Sequence, residues 1–199
     1  DWDICEKMLQ EVSDELHLNA IRCEGEAALY GPKLDFMFKD ALGRDVQIPT
    51  VQLDFALPKR FDLNYIDESG KKVHPVMVHR AVLGSYERFI ALILEQFKGV
   101  LPVWLSPVQV NIVPVNMKYH DEYCQKIFNL LNDEDIRVSY DDSKESLGKK
   151  LRQSNLMKNP YTLVLGDNEK DNNLISYRKY NSEEMVSLPI DEFIEFIKN

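Results

Sequence analysis

The chain has 199 residues, 44% of them hydrophobic, enough to build one large or two small cores and too apolar for a disordered segment. Its formal net charge of −9 excludes nucleic-acid binding through bulk positive charge, so any such role needs a local basic patch. No apolar run approaches the roughly 18 residues of a membrane span. The first residues lack the basic and apolar regions of a signal peptide. Cys5, Cys23 and Cys124 are far apart and odd in number, which suits free thiols in a reducing cytoplasm.

In chain order, residues 3–16 are polar with Ile4, Met8, Leu9, Val12 and Leu16 at helical spacing, predicting an amphipathic helix. Gly25 and Gly31-Pro32 punctuate the stretch after this helix. Residues 33–39 alternate, with Leu34, Phe36 and Phe38 on one face, as a half-buried strand does. A turn at residues 41–44 joins it to a second strand, 46–55, in an antiparallel hairpin. Pro49 interrupts that strand and predicts a bulge or an edge position, because proline cannot donate to a ladder. Residues 58–72 are turn-rich, 76–78 a short strand, and 81–97 a helix closed by Lys98-Gly99. Two prolines in residues 101–107 mark a boundary, giving domains 1–100 and 101–199. Beyond it strands at 108–115, 136–140, 161–165, 174–180 and 185–188 alternate with helices at 120–131, 146–157 and 190–197. That alternation predicts an α/β sheet.

Two stretches could carry chemistry. Gly84 and Ser85 open a helix soon after an apolar strand, where free N–H groups favour anions, and Arg88 lies one turn later. Its planar guanidinium can stack on a base or meet a phosphate, although it could equally be a solvated helix charge. Between Lys144 and Lys158 lie Lys144, Lys149, Lys150, Arg152 and Lys158 against Glu145 alone, a basic patch on an acidic protein. Tyr140, Tyr161, Tyr177 and Tyr180 could stack on bases or fill the core.

Residues 79–89, His-Arg-Ala-Val-Leu-Gly-Ser-Tyr-Glu-Arg-Phe, resemble motif 3 of the class II aminoacyl-tRNA synthetases in the form used by the threonyl enzymes. Residues 25–33, 47–55 and 101–110 resemble the same family in the same order. The resemblance implies an α+β chain: the end of a mostly antiparallel catalytic sheet, then an α/β anticodon-binding domain with a mixed sheet. The implied activity is ATP-dependent activation of L-threonine and its transfer to threonine tRNA, with Mg²⁺. Motifs 1 and 2 and a homodimer interface are expected in a preceding segment.

By position, Arg88 resembles the arginine that packs on adenine, and Gln47 and Thr50 resemble residues beside ATP. Tyr30 resembles the tyrosine near the amino group of threonine, and Gln52 lies nearest the reacting end. His79 resembles a zinc-binding histidine, its two partner ligands expected outside this chain. Zn²⁺ there would hold both the amino and hydroxyl groups of threonine and so exclude valine. Lys144, Glu145, Arg152, Glu169 and Arg178 fall at or near anticodon contacts. The sequence departs from the family at Ile48-Pro49, often Cys-Gly, and at Lys144, where Asn is expected and phosphate contact becomes an alternative to base reading. Another reading is a non-catalytic tRNA-binding module derived from a synthetase, with Gln47, His79 and Arg88 retained.

Overall fold

A computed structural model describes residues 1–198. The chain divides into two compact units, Asp1–Gln96 and Phe97–Asn199.

The first unit opens with helix α1 (Trp2–Glu15). Strands β1 (Lys33–Lys39), β2 (Asp45–Asp54) and β5 (Met77–Ala81) form an antiparallel sheet in the order β1-β2-β5. Between β2 and β5 lie a single turn α2 (Leu57–Arg60) and a minimal hairpin of β3 (Tyr65–Ile66) and β4 (Lys72–Val73). The β1–β2 turn is closed by Asp40, whose carboxylate accepts from the Leu42 and Arg44 amides and from the Arg44 guanidinium. Pro49 therefore sits in the central strand, not at an edge, and the ladder accommodates it with an irregularity: Asp35 opposes Thr50 but Met37 opposes Gln47. Two residues of β2, Ile48 and Pro49, lie against one of β1, so the missing N–H falls in a bulge where no ladder bond is required.

Helix α3 (Tyr86–Gln96) starts five residues later than the hydrophobic pattern predicts. Ala81 is still in β5, and Gly84 has φ +64, a left-handed turn between strand and helix. A Cβ at Gly84 would lie 3.1 Å from the Ile48 carbonyl oxygen, so this turn rests on the bulge.

The second unit has β6 (Val110–Pro114), α4 (Met117–Asp133), β7 (Val138–Tyr140), α5 (Leu147–Leu156), β8 (Tyr161–Leu165), α6 (Asp167–Asn172), β9 (Leu174–Lys179), β10 (Val186–Pro189) and α7 (Ile190–Lys198). The sheet order is β10-β9-β8-β6-β7: β6 is parallel to both β7 and β8, while β8–β9 and β9–β10 are antiparallel. The expected mixed α/β sheet is what forms. Helix α6 is not predicted by the sequence pattern, because its six polar residues carry no hydrophobic period. Its amino end is fixed locally: the Gly166 amide donates to the Glu169 carboxylate at 2.8 Å.

Val110, Ile112, Cys124, Ile127, Leu131, Leu163, Leu165, Ile175 and Phe193 are the fully buried residues of the core cluster. Tyr161 and Tyr177 join Phe193 and Phe196 in one aromatic cluster, with ring centroids 5.2–5.8 Å apart for most pairs. Of the four candidate stacking tyrosines these two are therefore packing residues, while the Tyr140 hydroxyl donates to Asp121 at 2.6 Å. All three cysteines are free, and burial pushes the Cys124 thiol up to about 12.

The connecting residues 97–107 are tied to the second unit. The Arg137 guanidinium donates to the carbonyls of Ser106 (2.9 Å) and Trp104 (2.7 Å), and the Lys158 ammonium donates to the Lys98 carbonyl.

Candidate functional site

In an antiparallel ladder, directly opposed residues share a face, and so do residues two apart along one strand. Lys33 opposes Gln52, Asp35 opposes Thr50, and Gln52 opposes His79. Lys33, Asp35, Thr50, Gln52, Asp54 and His79 thus stand on one face of the three-stranded sheet. Gln47 is three residues from Thr50 and would point the other way in a regular strand. The bulge at Ile48-Pro49 restores the parity and brings Gln47 to the same face. The departure Ile48-Pro49 therefore keeps both side chains on one side.

The face is hydrogen-bonded in two groups. In the first, one oxygen of Asp35 accepts from both Gln47 Nε2 and Thr50 Oγ, each at 2.7 Å, and the other pairs with Lys33. Arg88, exposed on α3, reaches back to the Gln47 carbonyl at 3.4 Å. In the second, Tyr30 donates to Gln52, and the Tyr30 and His79 rings lie 5.3 Å apart. His79 Nε2 bonds Asp54 Oδ2 at 2.9 Å. Asp54 is fully buried and also accepts from the amides of Ala56 (3.1 Å) and Leu57 (2.9 Å). Burial alone would raise the Asp54 carboxyl, but His79 and the two amides outweigh it and hold it below its ordinary value. A carboxylate only accepts, so Nε2 of His79 carries the proton of this bond, and in a neutral imidazole Nδ1 is the nitrogen left to accept or to bind a metal.

Asp35 and Asp54 are absent from the sequence-predicted site. Their signal in the sequence is parity alone: each is an acidic residue among half-buried strand positions, where an unpaired charge would be costly.

His79 would offer Nδ1 to a metal, a fit for one ligand. Among the described residues no group of three or more His, Cys, Asp and Glu could hold a metal ion. The donor set here is thus incomplete for the usual three-ligand zinc site.

In the second unit, Lys144 and Glu145 come after β7, and Glu169 comes after β8. Both positions lie beyond the carboxyl ends of parallel strands that flank β6, the place where open α/β sheets bind ligands. Buried His120 links two of these loops: its Nδ1 accepts from the Asn116 amide at 3.1 Å and its Nε2 bonds Asp167 at 2.9 Å. The sequence pattern marks His120 only as the start of a helix.

Glu169 is half-buried. Burial pushes its carboxyl up, but the Ser176 hydroxyl, the Gly166 amide and the Asn168 side chain hold it below its ordinary value of 4.5. A depressed carboxylate contributes stability that is present above 4.5 and lost as pH falls through the folded value. Glu169→Gln should therefore lower the urea midpoint at pH 7, and the gap from wild type should shrink at pH 3. A gap equal at both pH values would remove Glu169 from the acid response.

Arg178 pairs with Thr162 on β8, three residues before that strand's carboxyl end and roughly 10 Å from it. Its Nε and Nη2 both donate to the Ser182 carbonyl, at 2.9 and 2.6 Å. The side chains of Lys144 and Arg152 are exposed and make no hydrogen bond or ion pair among the described residues, whereas Glu145 pairs with Lys149 at 2.8 Å. Among the described residues no hydrogen bond or ion pair joins these three to Glu169 or Arg178.

The basic patch is smaller than its sequence. Lys150 is buried at 3% exposure, its ammonium donating to the Asp141 carbonyl at 2.8 Å. Lys158 is held by Lys98. The sequence counts both in the basic patch, but α5 turns Lys150 inward with Ser154, four residues on. Lys150→Ala should accordingly cost about 1.5–3 kcal/mol of stability, the range for losing a hydrogen bond to a charged group. Chemical denaturation measures this; an unchanged midpoint would return Lys150 to the surface patch.

Two families match this chain. Residues 2–97 match the tRNA synthetase class II core domain (G, H, P, S and T), and residues 109–199 match the anticodon binding domain. Threonine–tRNA ligase of Lactobacillus acidophilus is 47% identical over 196 residues, 98% of this chain, and that of Oceanobacillus iheyensis 44% over 197 residues, 99% of this chain. The chain spans 30% of the length of each. The crystal structure of the RNA binding domain of threonyl-tRNA synthetase from Cryptosporidium parvum superposes with a TM-score of 0.87 at 37% identity, covering 99% of this chain and 50% of that one. With a core-domain match on one side and an anticodon-domain match on the other, the chain belongs to the class II aminoacyl-tRNA synthetases.

Proposed function

We propose that this chain is the carboxyl-terminal portion of a threonine–tRNA ligase, with one wall of the aminoacylation site on its first unit and an anticodon-reading surface on its second. The observation that carries the reading is the polar face of the β1-β2-β5 sheet. It joins Gln47 and Thr50 through Asp35, with Arg88 of α3 reaching the Gln47 carbonyl, and it sets Tyr30, bonded to Gln52, against the His79 ring. The first group would hold ATP with Mg²⁺, and the second threonine.

The expected reaction has two steps. The threonine carboxylate attacks the α-phosphorus of ATP in line, expelling pyrophosphate and leaving an adenylate. A ribose hydroxyl of the tRNA end then takes the threonyl group and releases AMP. The protein contributes position and charge, with no covalent enzyme intermediate. Arg88 would cover the adenine, Gln47 and Thr50 would flank the nucleotide, and Tyr30 would meet the amino group. Gln52, held by Tyr30, would face the reacting end. Zn²⁺ on His79 and on ligands from outside this chain would supply a Lewis acid that binds the amino and hydroxyl groups of threonine together.

On the second unit, Lys144, Glu145, Glu169, Arg152 and Arg178 would meet the anticodon of threonine tRNA. Exposed Lys144 and Arg152 suit phosphate, and the fixed Glu169 and Arg178 suit base edges. A homodimer and a cytoplasmic location belong to the same proposal.

Arg88→Ala in the intact ligase tests it. ATP–pyrophosphate exchange should show KM for ATP raised about tenfold or more, as expected for a lost stacking cation, while tRNA affinity by filter binding stays near wild type. Equal loss of ATP and tRNA affinity would mean that the two units have been given the wrong roles.

A further inference from the structure

The bulge in β2 and the carboxylate facing it form a device that neither residue type announces alone. Gln47 and Thr50 are each ambidextrous: the amide can turn either its oxygen or its nitrogen outward, and the hydroxyl can donate or accept. Asp35 removes that freedom. A carboxylate only accepts, so Gln47 must give it Nε2 and Thr50 must give it the hydroxyl proton; both bonds, at 2.7 Å, end on the same oxygen. What remains toward a ligand is Gln47 Oε1 and a lone pair of Thr50 Oγ, two acceptors. Lys33 pairs with the other oxygen of Asp35 and balances its charge beside a site meant for an anion. Lys33 and Asp35 are about 20% exposed, so the pair is partly shielded from water. The bulge that places Gln47 is in turn backed by Gly84, and the Gln47 carbonyl is met by Arg88.

We propose that Asp35, supported by Lys33, is a positioning residue for the nucleotide site, fixing Gln47 and Thr50 as a pair of hydrogen-bond acceptors aimed at donor groups of the bound nucleoside. This rests on the reading of Gln47, Thr50 and Arg88 as the nucleotide group. A nucleoside offers two kinds of donor, ribose hydroxyls and an exocyclic amine, and the shared chemistry is donation to an acceptor pair.

The experiment is ATP–pyrophosphate exchange in the intact ligase for wild type, Asp35→Leu, Asp35→Asn and Gln47→Ala. It uses ATP, 2′-deoxy-ATP, 3′-deoxy-ATP and purine riboside triphosphate, which lacks the 6-amino group. Asp35→Leu should raise KM for ATP about tenfold, as loss of a charge-assisted hydrogen bond does, with KM for threonine unchanged within about twofold. Asp35→Asn retains an acceptor oxygen and should recover most of that loss. The wild-type penalty for whichever analogue lacks the recognised donor should shrink in Asp35→Leu; the deoxy analogues and the purine analogue tell the two donors apart. Should Asp35→Leu not fold, Lys33→Met serves in its place, with the same rise in KM for ATP expected. The inference is overturned if Gln47→Ala raises KM for ATP while the Asp35 and Lys33 variants leave it unmoved, or if they raise KM for threonine equally. If Gln47→Ala and Arg88→Ala both leave KM for ATP unmoved, the nucleotide reading itself fails and takes the inference with it.

Discussion

On the zinc role proposed for His79, its replacement by alanine in the intact protein should strip most of the bound zinc and lower the preference for threonine over valine from about 10⁴ to about 10². Those are the discriminations expected of a site that must satisfy a buried hydroxyl and of one that only fits a shape. The structure supplies the reason to expect a local effect. His79 is on β5 opposite Gln52, its Nε2 is fixed by buried Asp54, and its Nδ1 is left free. Its side chain is 40% exposed, so truncation opens no large core cavity; buried Asp54 loses one partner and keeps its two amide donors, a stability cost of about 1–3 kcal/mol. Metal analysis of the purified variant and exchange assays with each amino acid measure the two effects. Full zinc occupancy in His79→Ala would leave His79 as no more than the partner of Asp54.

Phe193→Ala should be the most destabilising single change in the second unit, costing about 3–5 kcal/mol, the usual range for truncating a buried phenylalanine. Phe193 is fully buried and its ring lies 5.8 Å from Tyr161 and 5.2 Å from Tyr177. Truncation therefore leaves a void against two large rings that cannot collapse into it. For a unit of this size, each kcal/mol moves the transition by several degrees, about 4–8 °C. Phe196→Ala, at a position 42% exposed, is the control and should cost much less. Thermal unfolding followed by near-UV circular dichroism decides; equal losses from the two variants would show that the cluster is not anchored at Phe193.

Most elements of regular period were legible from the residues alone. Residues 33–39 and 161–165 are strands at the predicted limits, because alternation or a short apolar run was uninterrupted there. The order of strands and helices after residue 107 sufficed for an α/β sheet, and residues 79–89 with three further stretches sufficed for the family, whose resemblance implied that the sheet is mixed. Each of these is a local pattern, in which neighbours along the chain carry the information.

Features that depend on residues far apart emerge only in the folded chain. It placed Pro49 in the central strand and answered it with a bulge, which changes side-chain parity and so sets Gln47 beside Thr50. It joined Asp35 to both across the ladder, and Asp54 to His79, 25 residues away. It also turned Lys150 inward, because the sign of a charge says nothing about which side of a helix meets the sheet. Hydrogen-bonded side chains need only the right separation in space, and one residue of register or a few tens of degrees of helix rotation settles whether they have it.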